Sequence, residues 1–134
     1  MKAVLYTDGG ARGNPGPAGT GAVLELESGG RDEFSQYLGT ATNNQAEYAA
    51  LISGLQLAHT REVDDLECYL DSELLVKQMN GEYKVKDPDL QLLHRNAQRL
   101  AKQFQVITFT HIPREKNTEA DRLVNEVLDK NIPA

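Results

Sequence analysis

Three extended segments come before the first helical one, and that order limits the folds open to this chain. Residues 2–8, 19–27 (GTGAVLELE) and 33–40 (EFSQYLGT) are short and rich in apolar or alternating residues, as strands are. Gly29, Gly30 and Arg31 join the second and third as a hairpin signal, which makes that pair antiparallel. Thr42 followed by Gln45 is a capping-box pattern and predicts a helix over about 43–59. A fourth strand follows at 65–70 (DLECYL). Asp71 and Ser72 then offer a cap for a short helix ending near Gly81. Pro88 and Asp89 open a long amphipathic helix with Leu92, Leu93, Ala97, Leu100 and Phe104 at helical spacing. A fifth strand is expected at 105–110 (QVITFT), then the loop HIPREKN. The last helix carries Ala120, Leu123, Val124, Val127 and Leu128 on one stripe. Hairpin-linked strands first and helix–strand alternation afterwards predict an α/β fold, a mixed sheet with helices on its faces.

The 134 residues suit a single domain, 1–134, with one substantial core. The one cysteine, Cys68, sits in an apolar segment and reads as a small buried residue. It allows no internal disulfide, so a reducing cytoplasm is the expected location. No apolar run suggests a secretory signal or a membrane span, and no membrane partner is expected. A monomer is the default expectation. The net charge of −6 argues against a tight non-specific grip on nucleic acid. Yet Lys84, Lys86, Arg95, Arg99, Lys102, Arg114, Lys116 and Arg122 all fall in the second half. Both a basic strip and scattered solubilising charge fit them.

The stretch YTDGGARGNPGPAG, residues 6–19, carries the first chemical signal. Asp8 ends an apolar run, where an isolated carboxylate is costly unless something pairs with it. Three more acids sit at comparable places. Glu47 shares a helix face with Ala50, Leu51, Gly54, Leu55 and Ala58; Asp71 ends the fourth strand; Asp121 opens the last helix. Each also has a plain explanation: Asp8 as a turn former, Asp71 as a cap, Glu47 and Asp121 as answers to a helix dipole. Ligands in open α/β sheets bind beyond the carboxyl ends of the parallel strands. If the first and fourth strands are parallel neighbours, the acids meet there. Such a cluster repels itself unless cations hold it. Oxygen ligands without histidine or thiolate suit Mg²⁺ or Mn²⁺. Two such ions form a clamp for in-line displacement at a phosphodiester, one activating water and one stabilising the leaving oxygen. The glycines after Asp8 are expected to let backbone approach a nucleic-acid strand.

The segments YTDGGARGNPGPAGTGAVL, TNNQAEYAAL, YLDSELLV and THIPREKNTEADRLVN occur in the order of one known family. With them the chain resembles ribonuclease H of type 1 (RNase HI) over essentially its whole length, in the compact prokaryotic and plant-type branch. The resemblance implies the ribonuclease H-like fold, a five-stranded mixed sheet with its first three strands antiparallel. It implies an endonuclease that cuts the RNA strand of RNA–DNA hybrids by two-metal-ion catalysis, leaving 3′-hydroxyl and 5′-phosphate ends. Asp8, Glu47, Asp71 and Asp121 match the metal-binding, catalytic acids, with two Mg²⁺ ions as cofactors and Mn²⁺ as substitute. Asp8 would bridge both ions and Asp121 would hold the water-activating one. His111 matches a histidine that aids product release. Asn14, Asn43 and Asn44 match groups that read the hybrid's minor groove, and Thr42 a residue near a phosphate of the DNA strand. Gly9 and Gly10 would lie against the substrate through their backbone. The basic, tryptophan-rich protrusion of some members is missing, since the chain has no Trp. Hybrid binding is therefore expected to lean on Arg12, Lys84, Lys86 and Arg114. Asn117 reads as a loop or cap residue.

Two other functions share such a sheet. A catalytically silent RNase H-like nucleic-acid-binding domain could lose an acid and keep its fold, but all four acids are present. A DNA nuclease or strand-transfer enzyme has no 2′-hydroxyl for Asn14, Asn43 and Asn44 to read.

Overall fold

The computed structural model describes residues 1–132. Its elements are β1 (Lys2–Ala11), β2 (Gly16–Leu26), β3 (Arg31–Ala41), α1 (Asn43–Thr60), β4 (Asp65–Leu70), α2 (Glu73–Met79), α3 (Pro88–Ala101), β5 (Val106–His111), a 3-10 turn (Arg114–Lys116) and α4 (Thr118–Asn131). The element order is the expected one. The strands form one sheet in the order β3-β2-β1-β4-β5. β1, β2 and β3 are antiparallel, and β1, β4 and β5 are parallel, so the first three strands pair as expected.

The first strand runs further than expected. Gly9, Gly10 and Ala11 continue the ladder opposite Thr20, Gly19 and Ala18. The turn is confined to Arg12–Pro15, closed by the Arg12 N–H to the Pro17 carbonyl at 2.8 Å. The glycines are strand here because antiparallel pairing with β2 overrides their weak intrinsic preference for it.

Alternation on β1 divides the molecule into two layers. Leu5 and Thr7 face α1, where Gly54 lets the helix come close: a Cβ there would lie 2.9 Å from Leu5 Cδ2 and Thr7 Cγ2. Leu5, Leu24, Tyr48, Leu51, Leu55, Leu66, Leu70 and Phe104 belong to the core on this side, together with Leu90, Ala97 and Ala101 of α3. On the opposite face α4 rests on glycines. A Cβ at Gly21 would stand 2.3 Å from the Ala120 carbonyl, and one at Gly19 would stand 2.7 Å from Val127 Cγ1. Ala120, Leu123, Val124 and Leu128 are buried there, as their stripe predicts.

One apolar assignment is corrected. Leu92 does not join the α3 stripe; it is 60% exposed. Leu90, Ala97 and Ala101 are the buried positions, and Leu92 stands about 200° around the helix from Leu90. Cys68 is buried as expected, and burial pushes its thiol pKa up. No described helix is long and apolar enough to cross a membrane.

Candidate active site

Register brings the acids together. The parallel pairing of β1 with β4 ends at Thr7 beside Leu70, so the next residue on each strand is an acid, Asp8 and Asp71. Glu47 comes from α1. The Thr42–Gln45 capping box forms in full, with Gln45 N donating to Thr42 Oγ1 at 3.1 Å and Thr42 N to Gln45 Oε1 at 2.9 Å. It starts α1 so that its fifth residue, Glu47, lies over the end of β1. Glu47 is thus one turn further in than a dipole-answering acid, and that explanation fails. Asp71 is not a cap either: Ser72 holds that position, its Oγ accepting from Leu75 N.

Asp8, Glu47 and Asp71 each offer an oxygen within 4.8 Å of the others. Asp8 and Glu47 are buried. Burial first, and then the Asp71 charge, raise the Asp8 pKa to about 7. Burial and the Asp8 carboxylate push Glu47 well above the ordinary range. Only the Gly9 N–H, 3.1 Å from Glu47 Oε1, works against this. Glu47 Oε2 is buried with no hydrogen-bond partner among the described residues. Buried oxygens that repel each other, one of them orphaned, fit a hard divalent cation. Asp121 stands beside Asp8 and adds to the rise of its pKa. It lies in the first turn of α4, its carboxylate 3.3 Å from Asn125 Nδ2 and 3.8 Å from Arg114 Nη2.

The acids open into a cleft of about 540 Å³ lined by Gly9, Gly10, Ala11, Arg12, Asn43, Asn44, Ser72, Arg114 and Asn125 among others. Its rim is knitted across elements: Ala11 N donates to Asn43 Oδ1 at 2.8 Å, and Asn43 N to Asn14 Oδ1 at 3.0 Å. Arg12 is ion-paired with Asp129 at 2.7 Å. Thr42 Oγ1 is engaged in its cap. His111 is the exposed last residue of β5 and lies outside the cleft lining. Lys84 and Arg95 line a separate cleft of about 630 Å³ with Tyr83 and His94; its lining holds no carboxylate. Arg122 belongs to neither cleft and pairs with Glu33 and Glu126.

Two residues were not assigned a site role from sequence. Asn125 lies one turn after Asp121 on the same helix face, a spacing that signals contact. Asn117, read as a loop or cap residue, is 1% exposed and makes no side-chain cap bond. Its amide donates to Asp71 Oδ2 and to the Thr7 carbonyl. The loop after β5 is therefore anchored by Asn117.

Comparison with known proteins agrees with this geometry. Residues 6–127 match the family model described as reverse transcriptase-like. The chain is 49% identical to the bifunctional protein Rv2228c of Mycobacterium tuberculosis over 96% of its own length, and spans 36% of that protein. It is 46% identical to a ribonuclease HI of Halobacterium salinarum, covering 92% of this chain and 63% of that one. The crystal structure of RNase H1 from that archaeon superposes with a TM-score of 0.93 at 44% identity, covering 97% and 99% of the two chains. LC11-RNase H1, solved in complex with RNA/DNA hybrid, superposes with a TM-score of 0.88 at 48% identity over 96% and 97%. The family-model match over most of the chain and this degree of identity to proteins named ribonuclease HI or RNase H1 show that the chain belongs to the reverse transcriptase-like family, with the ribonucleases HI among its relatives.

Proposed function

We propose that the protein is an endonuclease that hydrolyses the RNA strand of RNA–DNA hybrids, using two divalent cations held by Asp8, Glu47, Asp71 and Asp121. The observation that carries this reading is the meeting of Asp8, Glu47 and Asp71 within 4.8 Å at an open cleft, two of them buried and one oxygen orphaned. Kinship with a protein solved on RNA/DNA hybrid supports the substrate class. When bound, Mg²⁺ or Mn²⁺ supplies an activated water and compensates charge at the leaving oxygen, and hydrolysis then leaves 3′-hydroxyl and 5′-phosphate ends.

The chain's own residues do the rest. Asp8 and Asp71 fix the floor of the site from adjacent parallel strands, and Glu47 closes it from α1. Asn43 and Asn44 stand at the rim beside Gly10 and Ala11, where 2′-hydroxyls of the cut strand would pass. Asn43 Oδ1 and Asn14 Oδ1 already accept main-chain N–H groups, so these two amides meet a 2′-hydroxyl through their NH₂ donors. Arg12 and Arg114 bring positive charge to the same rim of an acidic protein. His111, exposed beside the cleft, assists product release. The protein acts as a cytoplasmic monomer.

Labelled RNA–DNA, RNA–RNA and DNA–DNA duplexes incubated with Mg²⁺, Mn²⁺ or chelator test this. Cleavage of the RNA strand of the hybrid alone, abolished by chelator, is expected. Equal cutting of DNA–DNA duplex, or cleavage surviving in chelator, overturns it.

A further inference from the structure

We propose that Asn117 is a positioning residue that sets the acid cluster in its cation-holding arrangement, acting through Asp71 and Asp121. The inference rests on the metal-dependent reading above and extends it to a residue outside the ligand set. Asn117 follows a fully exposed turn, Arg114–Lys116, and precedes the exposed Thr118, yet only 1% of its own surface is accessible. It occupies the position before α4 where an asparagine ordinarily accepts a hydrogen bond from the first helical turn. It makes no such bond.

Its amide nitrogen is spent elsewhere. Nδ2 lies 2.9 Å from Asp71 Oδ2 and 2.9 Å from the Thr7 carbonyl, the peptide oxygen next to Asp8. The Asn117 carbonyl accepts from Asp121 N at 3.2 Å. One residue therefore ties the end of β1, the end of β4 and the first turn of α4. Its Oδ1 is buried without a partner among the described residues. Helix α4 thus goes without a side-chain cap and a buried acceptor goes unpaired. Both are unfavourable for folding, and such local costs collect at functional sites.

The chemistry suits the role. Asp71 follows the last residue of β4, and its neighbours Asp8 and Glu47 repel it outward. A donor fixed on Oδ2 holds the side chain inward, while Oδ1 has no protein donor among the described residues. A neutral amide does this without cancelling the carboxylate charge, as a lysine or arginine would. Partners that orient a metal's ligands in this way matter to affinity nearly as much as the ligands.

Asn117→Ser separates positioning from structure. Serine is a good helix cap, so it supports α4, but it cannot span to Asp71 and Thr7. The metal-free wild type and Asn117→Ser are titrated with Mn²⁺ by calorimetry, and the Mg²⁺ concentration for half-maximal cleavage of hybrid is measured for both. Asn117→Ser is expected to weaken Mn²⁺ binding and raise the Mg²⁺ requirement by about 10- to 100-fold. KM for hybrid stays unchanged, excess Mg²⁺ restores kcat, and the melt remains cooperative. Asn117→Asp, which sets a like charge against Asp71, is expected to bind more weakly still and serves if the serine variant does not fold. In an Asp71→Asn background, Asn117→Ser should add no further loss. Wild-type Mn²⁺ affinity in a folded Asn117→Ser or Asn117→Asp protein overturns the inference. A wild type that binds no Mn²⁺ overturns the metal-dependent reading, and this inference with it.

Discussion

The Gly9 main-chain N–H points at Glu47 Oε1 at 3.1 Å, and a Cβ on Gly9 would lie 2.2 Å from the Ala46 carbonyl carbon and 2.6 Å from Glu47 N. The helix bearing one acid therefore sits directly on the backbone of the residue after another. Glycine at this position keeps Glu47 and Asp8 within reach of one ion.

Gly9→Ala is expected to push α1 off β1, at a cost of about 3 kcal/mol in urea unfolding, the upper end for overpacking. Cleavage should fall at least about 100-fold, as expected when reacting groups are displaced by about 1 Å. Gly10→Ala is the control. Its Cβ would meet only Val124 Cγ1, at 3.9 Å, so stability should be near wild type. Loss of cleavage in a fully stable Gly10→Ala would show that backbone approach by substrate, and not helix packing, requires that glycine.

The raised carboxyl pKa values predict the pH dependence of the metal-free protein. Asp8 and Glu47 hold protons more tightly folded than unfolded. The Asp8 contribution to stability is therefore fully present below about pH 4, the unfolded value, and is lost as pH rises through about 7, and Glu47 acts in the same direction. In chelator the melting temperature should fall across this range, and Mg²⁺ should restore it at pH 8. Asp8→Asn should flatten the fall, raise the metal-free melting temperature above pH 7 by about 4 °C for each kcal/mol of repulsion removed, and abolish cleavage. A metal-free melting temperature that climbs between pH 5 and 8 contradicts this sign.

Asn43 and Asn44 are expected to separate. Asn43 accepts from Ala11 N and its own N–H binds Asn14 Oδ1, latching the β1–β2 turn to α1. Asn43→Ala should cost about 1 kcal/mol as well as activity. Asn44→Ala should leave the melt unchanged and weaken hybrid cleavage only. A melt lowered equally by both would assign Asn44 to structure.

His111→Ala is expected to lower kcat by roughly 10-fold or more, within the usual scale of acid–base assistance, and to leave KM nearly unchanged. Because the side chain is exposed, its removal should not move the melting temperature. A lower melting temperature with unchanged kcat would make His111 a strand-end residue only.

The sequence alone determined the element order, the capping box at Thr42, the stripe on α4 and the placement of four acids at or near the ends of elements. These are readable because each rests on local periodicity or on a chemical type set at a fixed offset. Its errors fall where contacts between distant residues decide. The glycines after Asp8 look like a loop in sequence, but β2 extends β1 through them, and α1 needs the missing side chain of Gly9. Leu92 fits an apolar spacing, but it stands on the opposite side of α3 from Leu90 and stays in solvent. Asn117 looks like a cap because the residue before a helix ordinarily is one; only the fold brings a strand 110 positions earlier against its amide. Asp8 and Asp71 lie far apart along the chain and become neighbours through the parallel register of β1 and β4, which no local pattern specifies. Composition and spacing therefore settle which acids stand at the ends of elements. The tertiary structure settles how close they stand, which are buried and which residue hydrogen-bonds Asp71, because distance and desolvation arise only once the sheet and its helices have packed.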